Sequence, residues 1–146
     1  MKKISRFSGD YSFLSNFYKT PVFLNGLEYT CVESAFQAQK CINPKDRIQF
    51  QTMDPVTAKR RGKQVDLRRD WEDIKVGVMW ECLIDKFTRN EDLKMKLLGT
   101  GDAYLQEGNT WRDTFWGVDL KTGKGKNKLG ELLMSVRDIL RDTERF

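Results

Sequence analysis

Along residues 21–30, "PVFLNGLEYT", apolar and polar positions alternate with a period of two on either side of Asn25-Gly26. That pattern predicts a β-hairpin, because a two-residue type I′ turn needs positive φ at both central positions and Asn-Gly supplies it. Beyond it the period lengthens and the chain reads as helical almost to its end. "VESAFQAQKCI" is the first helix, with Val32, Ala35 and Phe36 as an apolar stripe. Glu33, Gln37 and Lys40 form a polar row beside it. Pro44 starts a short second helix. Asp54 followed by Pro55, an N-cap and then Pro at the first helical position, opens "PVTAKRRGKQ". Asp70 is expected to cap "WEDIKVGVMWECLIDKF", whose apolar residues spread around most of the circumference, as in a central helix. Asn90 caps "EDLKMKLLGT", which Gly99 or Gly101 ends. "DAYLQEGNTWRDTFWGVDLKTGKGKN" is long, aromatic and Gly-rich, and reads as a functional loop with a short strand. The last helix carries Leu129, Leu132, Leu133, Val136, Ile139 and Leu140 on one face. The fold expected is mainly α, one domain over residues 1–146, with a small N-terminal β-hairpin.

Composition narrows the chemistry. The 146 residues, 39% apolar and 12% aromatic, suit one folded domain with a core of its own. No apolar run approaches the ~20 residues of a membrane helix. The start, "MKKISRFSGDYSFL", has basic residues with no apolar segment behind them, so a cytoplasmic protein is expected, away from any membrane. Cys31, Cys41 and Cys82 form no CxxC pair and read as reduced thiols. Histidine is absent altogether. A His-based triad, a His-ligated metal and an imidazole acid/base are therefore excluded. Chemistry must run on carboxylates, lysine, cysteine, tyrosine or amides. No ligand spacing points to a metal, and no cofactor is expected. The net charge of +5 is compatible with a phosphorylated ligand or with nucleic acid.

Three stretches carry candidate chemistry. "GKGKNKLG" is neither a Walker A loop nor a dinucleotide fingerprint, since Gly125 follows Lys124 and Lys128 replaces the third glycine. Its backbone N–H groups, with Lys124, Lys126 and Lys128, still favour an anion at the start of the last helix, which Asn127 can cap. A flexible solvated turn is the plainer account. The basic run "AKRRGKQVDLRRDW" suits a nucleic-acid groove or, more simply, a charged helix face. Tyr104, Trp111, Phe115 and Trp116 in the long loop either fill core or stack on a planar base. In the first helix, Glu33 and Lys40 stand ~10 Å apart along the axis, too far to pair but placed to face one ligand. A desolvated lysine can attack a sugar aldehyde carbon, and a carboxylate can stabilise positive charge there or move a proton. By spacing alone, a solvated polar row is a better account of these residues than a site.

Seven blocks, in order, give the chain a wider likeness: "FSGDYSFLSNFY", "NGLEYTCVESAFQAQK", "LRRDWEDIKVGVM", "KF", "LLGTGDAYLQE", "FWGV" and "GKGKNKLGELLMSVR". On these the sequence resembles the NADAR family of YbiA-like N-glycosidases across nearly its whole length. The resemblance implies a mainly α single domain and hydrolysis of an N-glycosidic bond between ribose and a base-like amine. The substrates it implies are phosphorylated ribosylaminopyrimidine intermediates of riboflavin biosynthesis or, in other relatives, ADP-ribose on guanine in nucleic acid. It further implies Glu33 and Lys40 as the catalytic pair. Ser15, Asn16 and Phe17 would line the ribose or base, with Gln37 beside them. Trp116 and Gly117 would pack on the ligand, Asp119 would be a further carboxylate, and Asn127 would lie near the phosphate. Relatives can carry the acidic residue directly after Trp-Gly, where Val118 stands here, and many have His where Ser34 stands. A nucleotide-binding module without turnover, or a general nucleic-acid binder, would use the same stacking loop and basic residues.

Overall fold

The computed structural model describes residues 2–144. Its chain divides into two compact units, one running from Asn16 to Arg89 and the other combining the segment up to Ser15 with that from Asn90 onward. Among the described residues are five α-helices, two 3₁₀ segments and six short strands. The fold is mainly α.

In the Asn16–Arg89 unit, strands β2 (Val22–Leu24) and β3 (Leu27–Tyr29) form the hairpin, with Leu24 opposite Leu27. Its turn holds Asn25 at φ 49° and Gly26 at φ 86°, the conformation the sequence predicts. Helix α1 (Val32–Ala38) follows, then a 3₁₀ segment (Pro44–Thr52), α2 (Pro55–Gly62) and α3 (Trp71–Arg89). Asp54 caps α2 as expected, its Oδ1 accepting the Thr57 N–H at 2.8 Å. Asp70 does not cap α3 through its side chain. Its carboxylate is gripped by both ends of the Arg68 guanidinium, at 2.7 and 3.1 Å, and only its backbone carbonyl serves the first turn. The core gathers Phe50, Met79, Leu83 and Phe87 around α1, each fully or almost fully buried and worth roughly 1.5–3 kcal/mol against exposure. Helix α3 buries one face, made of Trp71, Met79, Cys82, Leu83, Lys86 and Phe87, rather than most of its circumference.

Helix α1 departs furthest from its sequence reading. It ends at Ala38, so Lys40 sits in the turn beyond it. The backbone is taken elsewhere at that point: the Lys40 carbonyl accepts the Arg68 N–H at 3.0 Å, and Cys41 bridges to Leu67. Gln39 fixes the exit. Its amide donates to the Ala35 carbonyl at 3.1 Å, and its Oε1 accepts from Asn25 Nδ2 of the hairpin turn at 2.9 Å. Every residue of α1 is buried, including Glu33, Ser34 and Gln37, so the helix has no solvated face.

The other unit holds β1 (Lys3–Ile4) paired in parallel with β4 (Tyr104–Leu105), and β5 (Gly108–Asn109) paired in parallel with β6 (Val118–Asp119). A 3₁₀ segment (Gly9–Leu14) and helices α4 (Glu91–Gly99) and α5 (Lys128–Glu144) complete it. Asn90 stands at the N-cap of α4 but makes no side-chain cap bond. Along α5 the buried face is Leu129, Gly130, Leu133, Val136, Arg137 and Leu140, while Ile139 is exposed, against expectation. Arg137 takes that buried place because its Nη1 donates to the Ala103 carbonyl and to Thr100 Oγ1, both at 2.9 Å. No helix among the described residues is long and apolar enough to cross a membrane.

Candidate active site

The polar row of α1 points inward. Glu33 is 7% exposed and Gln37 6%, one turn apart, and Gln37 Nε2 donates to Glu33 Oε1 at 3.3 Å. The Glu33 backbone N–H donates to the Asn16 carbonyl at 3.0 Å, which anchors the "SNF" segment at the first turn of the helix. Asn16 Nδ2 reaches Met79 Sδ of α3 at 3.6 Å, and its Oδ1 is buried with no hydrogen-bond partner, as is Gln37 Oε1. Buried amide oxygens without donors are costly, so Asn16, tied to the Glu33 backbone, and Gln37, tied to its carboxylate, mark a place built for more than packing. Phe17, the next residue, is 39% exposed, with Lys59 Nζ 5.9 Å from its ring centroid.

Lys40 is half-buried and its Nζ lies 5.9 Å from the centroid of the Trp71 ring, which in turn tilts against Phe36 at 5.0 Å. Burial pulls the proton affinity of Lys40 below the ordinary lysine value. The negative charge of Glu33 pulls it back up more than any other group does, while Lys63 and Lys75 push it further down. Glu33 and Lys40 are thus a buried carboxylate and a half-buried amine at the two ends of α1.

A second lysine is more strongly perturbed. Lys86 on α3 is 0% exposed, its Nζ 5.6 Å from the Tyr18 ring centroid and 5.0 Å from that of Phe87, and burial lowers its pKa to about 7. Sequence reasoning missed this residue, together with Trp71 and Lys59 as neighbours of the site. The only signal was that Lys86 and Trp71 fall inside recognisable blocks. A cavity of about 440 Å³ in this unit, lined by Cys41, Asn43, Asp46, Gln49, Arg61 and Asp66 among others, includes neither Glu33 nor Lys40. Among the described residues no three His, Cys, Asp or Glu groups gather to hold a metal ion.

The remaining sequence candidates belong to the other unit. Ser15 ends the 3₁₀ segment, half-buried, its N–H donating to the Ser12 carbonyl. Trp116 is half-buried, edge-on to Phe115 at 4.8 Å, and its N–H donates to Asp113 Oδ1 at 2.9 Å. Gly117 lies where any side chain would run into the Glu107 carbonyl and the Asn109 amide, so glycine there lets β5 and β6 come together. Asp119 is buried and accepts the Lys121 N–H at 2.9 Å. Asn127, at φ 52°, spends its whole side chain on protein: Oδ1 accepts the Glu107 N–H at 2.9 Å, and Nδ2 donates to the Leu105 carbonyl at 2.9 Å and to Tyr104 Oη at 3.2 Å. It knits the long loop to the start of α5, whose Glu131 N–H its carbonyl accepts.

The NADAR domain pattern matches residues 5–141 and so runs through both units. The chain belongs to the NADAR family. It is 40% identical over 136 residues to N-glycosidase YbiA of Escherichia coli (strain K12), covering 91% of this chain and 84% of that protein. N-glycosidase Npun_R5314 of Nostoc punctiforme is 35% identical, with 90% and 87% covered. Riboflavin biosynthesis protein VVA0006 of Vibrio vulnificus is also 35% identical, but the match is only 36% of its length. The NMR structure of the E. coli protein YbiA superimposes with a TM-score of 0.86 at 35% identity, covering 99% of this chain and 89% of that one.

Proposed function

We propose that this NADAR chain is an N-glycosidase that hydrolyses the bond between ribose and a base-like amine, with a phosphorylated ribosylaminopyrimidine as substrate. The observation that carries the reading is the inward-facing Glu33–Gln37 row of α1, with the half-buried Lys40 amine against Trp71 just past the helix end. Relatives named N-glycosidase supply the bond type. One named for riboflavin biosynthesis supports the substrate class.

Lys40 reacts as its neutral amine, its proton having gone to water, and Glu33 delivers a proton to the leaving nitrogen of the substrate. Lys40 Nζ bonds to the anomeric carbon as the base departs with the C–N electron pair. Lys40 Nζ then gives one of its protons to the ring oxygen, and the freed nitrogen lone pair forms the C=N bond as the C–O pair moves onto that oxygen, leaving a protonated imine and an open-chain hydroxyl. Water adds to that carbon, the C–N bond to Lys40 breaks, and the sugar leaves as the aldehyde or its hemiacetal. Burial lowers the cost of deprotonating Lys40, and Glu33 opposes positive charge at the reacting carbon. Phe17 offers an aromatic face to the base and Asn16 sits beside it.

Mixing the purified protein with a ribosylaminopyrimidine phosphate and following release of free base tests the reading. Turnover of an ADP-ribosyl-guanine oligonucleotide in its place would move the substrate class to nucleic acid. Binding without release of base would make the chain a nucleotide-binding module.

A further inference from the structure

Gly62 is the last residue of α2, and its backbone is helical. It is not among the glycines with positive φ, so no left-handed turn requires it. In a helix glycine is destabilising relative to alanine. What holds glycine here is space. A Cβ built on Gly62 would overlap the side-chain amide of Gln37, meeting Oε1 first and the amide carbon next. Both residues are buried. The Gln37 amide thus lies against Gly62, with its Nε2 turned to Glu33 Oε1 and its Oε1 left without a hydrogen-bond partner. The opposite orientation of the amide would face an oxygen to the carboxylate and lose the donor. The clashing atoms are the far end of a flexible side chain rather than backbone. A methyl at position 62 is therefore accommodated by moving Gln37, not by parting the helices.

We infer that Gly62 is a positioning residue, which acts through Gln37 to hold the Glu33 carboxylate in its reactive setting. A donor aimed at Glu33 favours its charged form, the form that opposes positive charge at the reacting carbon. Gln37 acts as a lever whose rest position Gly62 sets. The inference rests on the glycosidase reading for its kinetic consequence, but the contact itself can be observed without turnover.

The experiment pairs side-chain amide NMR with kinetics on the full chain. In Gly62→Ala the Gln37 side-chain N–H resonances move in the direction that Glu33→Gln moves them, while the helical circular dichroism is kept. With a ribosylaminopyrimidine phosphate, Gly62→Ala lowers kcat about tenfold and leaves KM within about twofold, as a small misplacement of a reacting group does. Gln37→Ala lowers kcat to a similar degree, and adding Gly62→Ala to it costs nothing further, because the two act through one contact. If Gly62→Ala folds poorly, Gly62→Ala/Gln37→Asn clears the overlap but leaves the amide too short for Glu33; stability returns and kcat does not. Unmoved Gln37 resonances in Gly62→Ala, or kcat losses that multiply in the Gly62→Ala/Gln37→Ala variant, overturn the inference. A wild-type protein that turns over no ribosylamine sinks the glycosidase reading alone, and the amide shift then decides whether the contact stands.

Discussion

The backbone N–H of Glu33 donates to the carbonyl oxygen of Asn16 at 3.0 Å. Two segments seventeen positions apart in sequence are joined there, and the residues the sequence singles out as substrate-lining and catalytic become neighbours. The first turn of α1 is thereby tied to the Asn16–Phe17 segment before any side chain is considered.

The carboxylate itself is tested by Glu33→Gln, which keeps the shape and removes the charge. Loss of the proton carrier is expected to lower kcat at least ~100-fold, the range in which positioned acid/base groups operate. The helical circular dichroism spectrum should be unchanged. An active, folded Glu33→Gln protein would take Glu33 out of the chemistry.

Phe17 is a large aromatic left 39% exposed beneath Lys59. If it stacks on the base, Phe17→Ala raises KM roughly tenfold with kcat nearly unchanged, since base–aromatic stacking is worth ~1–3 kcal/mol and is made in the ground and transition states alike. Phe17→Tyr should behave as wild type in the same steady-state assay.

Some of this was legible in sequence, where local chemistry decides. Asn25-Gly26 forms its type I′ turn and Asp54 caps α2 because each needs only its immediate neighbours. Lys40 falls outside α1 because the segment around Leu67 and Arg68 claims its backbone, a partner nearly thirty residues away. The inward turn of Glu33 and Gln37 was legible only through the family resemblance: by periodicity, an amphipathic row looks the same whether its polar side meets water or a second helix. Gly62 gives no signal at all in the sequence, since a lone glycine inside the helical run "PVTAKRRGKQ" does not show the amide for which it makes room. Lys86 was hidden for the same reason, its burial being a property of α3 in its packed setting.

Asn127 separates a structural role from a ligand role. Its three side-chain hydrogen bonds to Tyr104, Leu105 and Glu107 all lie within its own unit. Asn127→Ala is expected to cost on the order of 2–4 kcal/mol in urea unfolding, because buried partners lose their bonds and alanine strains at positive φ. An unchanged unfolding midpoint with a raised KM would instead place its role at the ligand.

Lys86 gives a pH signature in stability. In the folded chain it releases its proton near pH 7, whereas in the unfolded chain it holds it to about 10.4. Below pH 7 both states are protonated and the burial penalty is constant. Between about pH 7 and 10 the unfolded state binds the extra proton, so stability rises with pH. Lys86→Met removes the charge from the core. It should raise the melting temperature at pH 6 and flatten that rise, as read by thermal unfolding across the pH series.

The central claim is that Lys40 is the amine that captures the sugar. Borohydride added during turnover, followed by proteolysis and mass spectrometry, reads it directly. The expected result is a reduced ribosyl adduct on the peptide carrying Lys40, absent in Lys40→Met. Brisk release of base with no adduct, or with the adduct on Lys86, contradicts it.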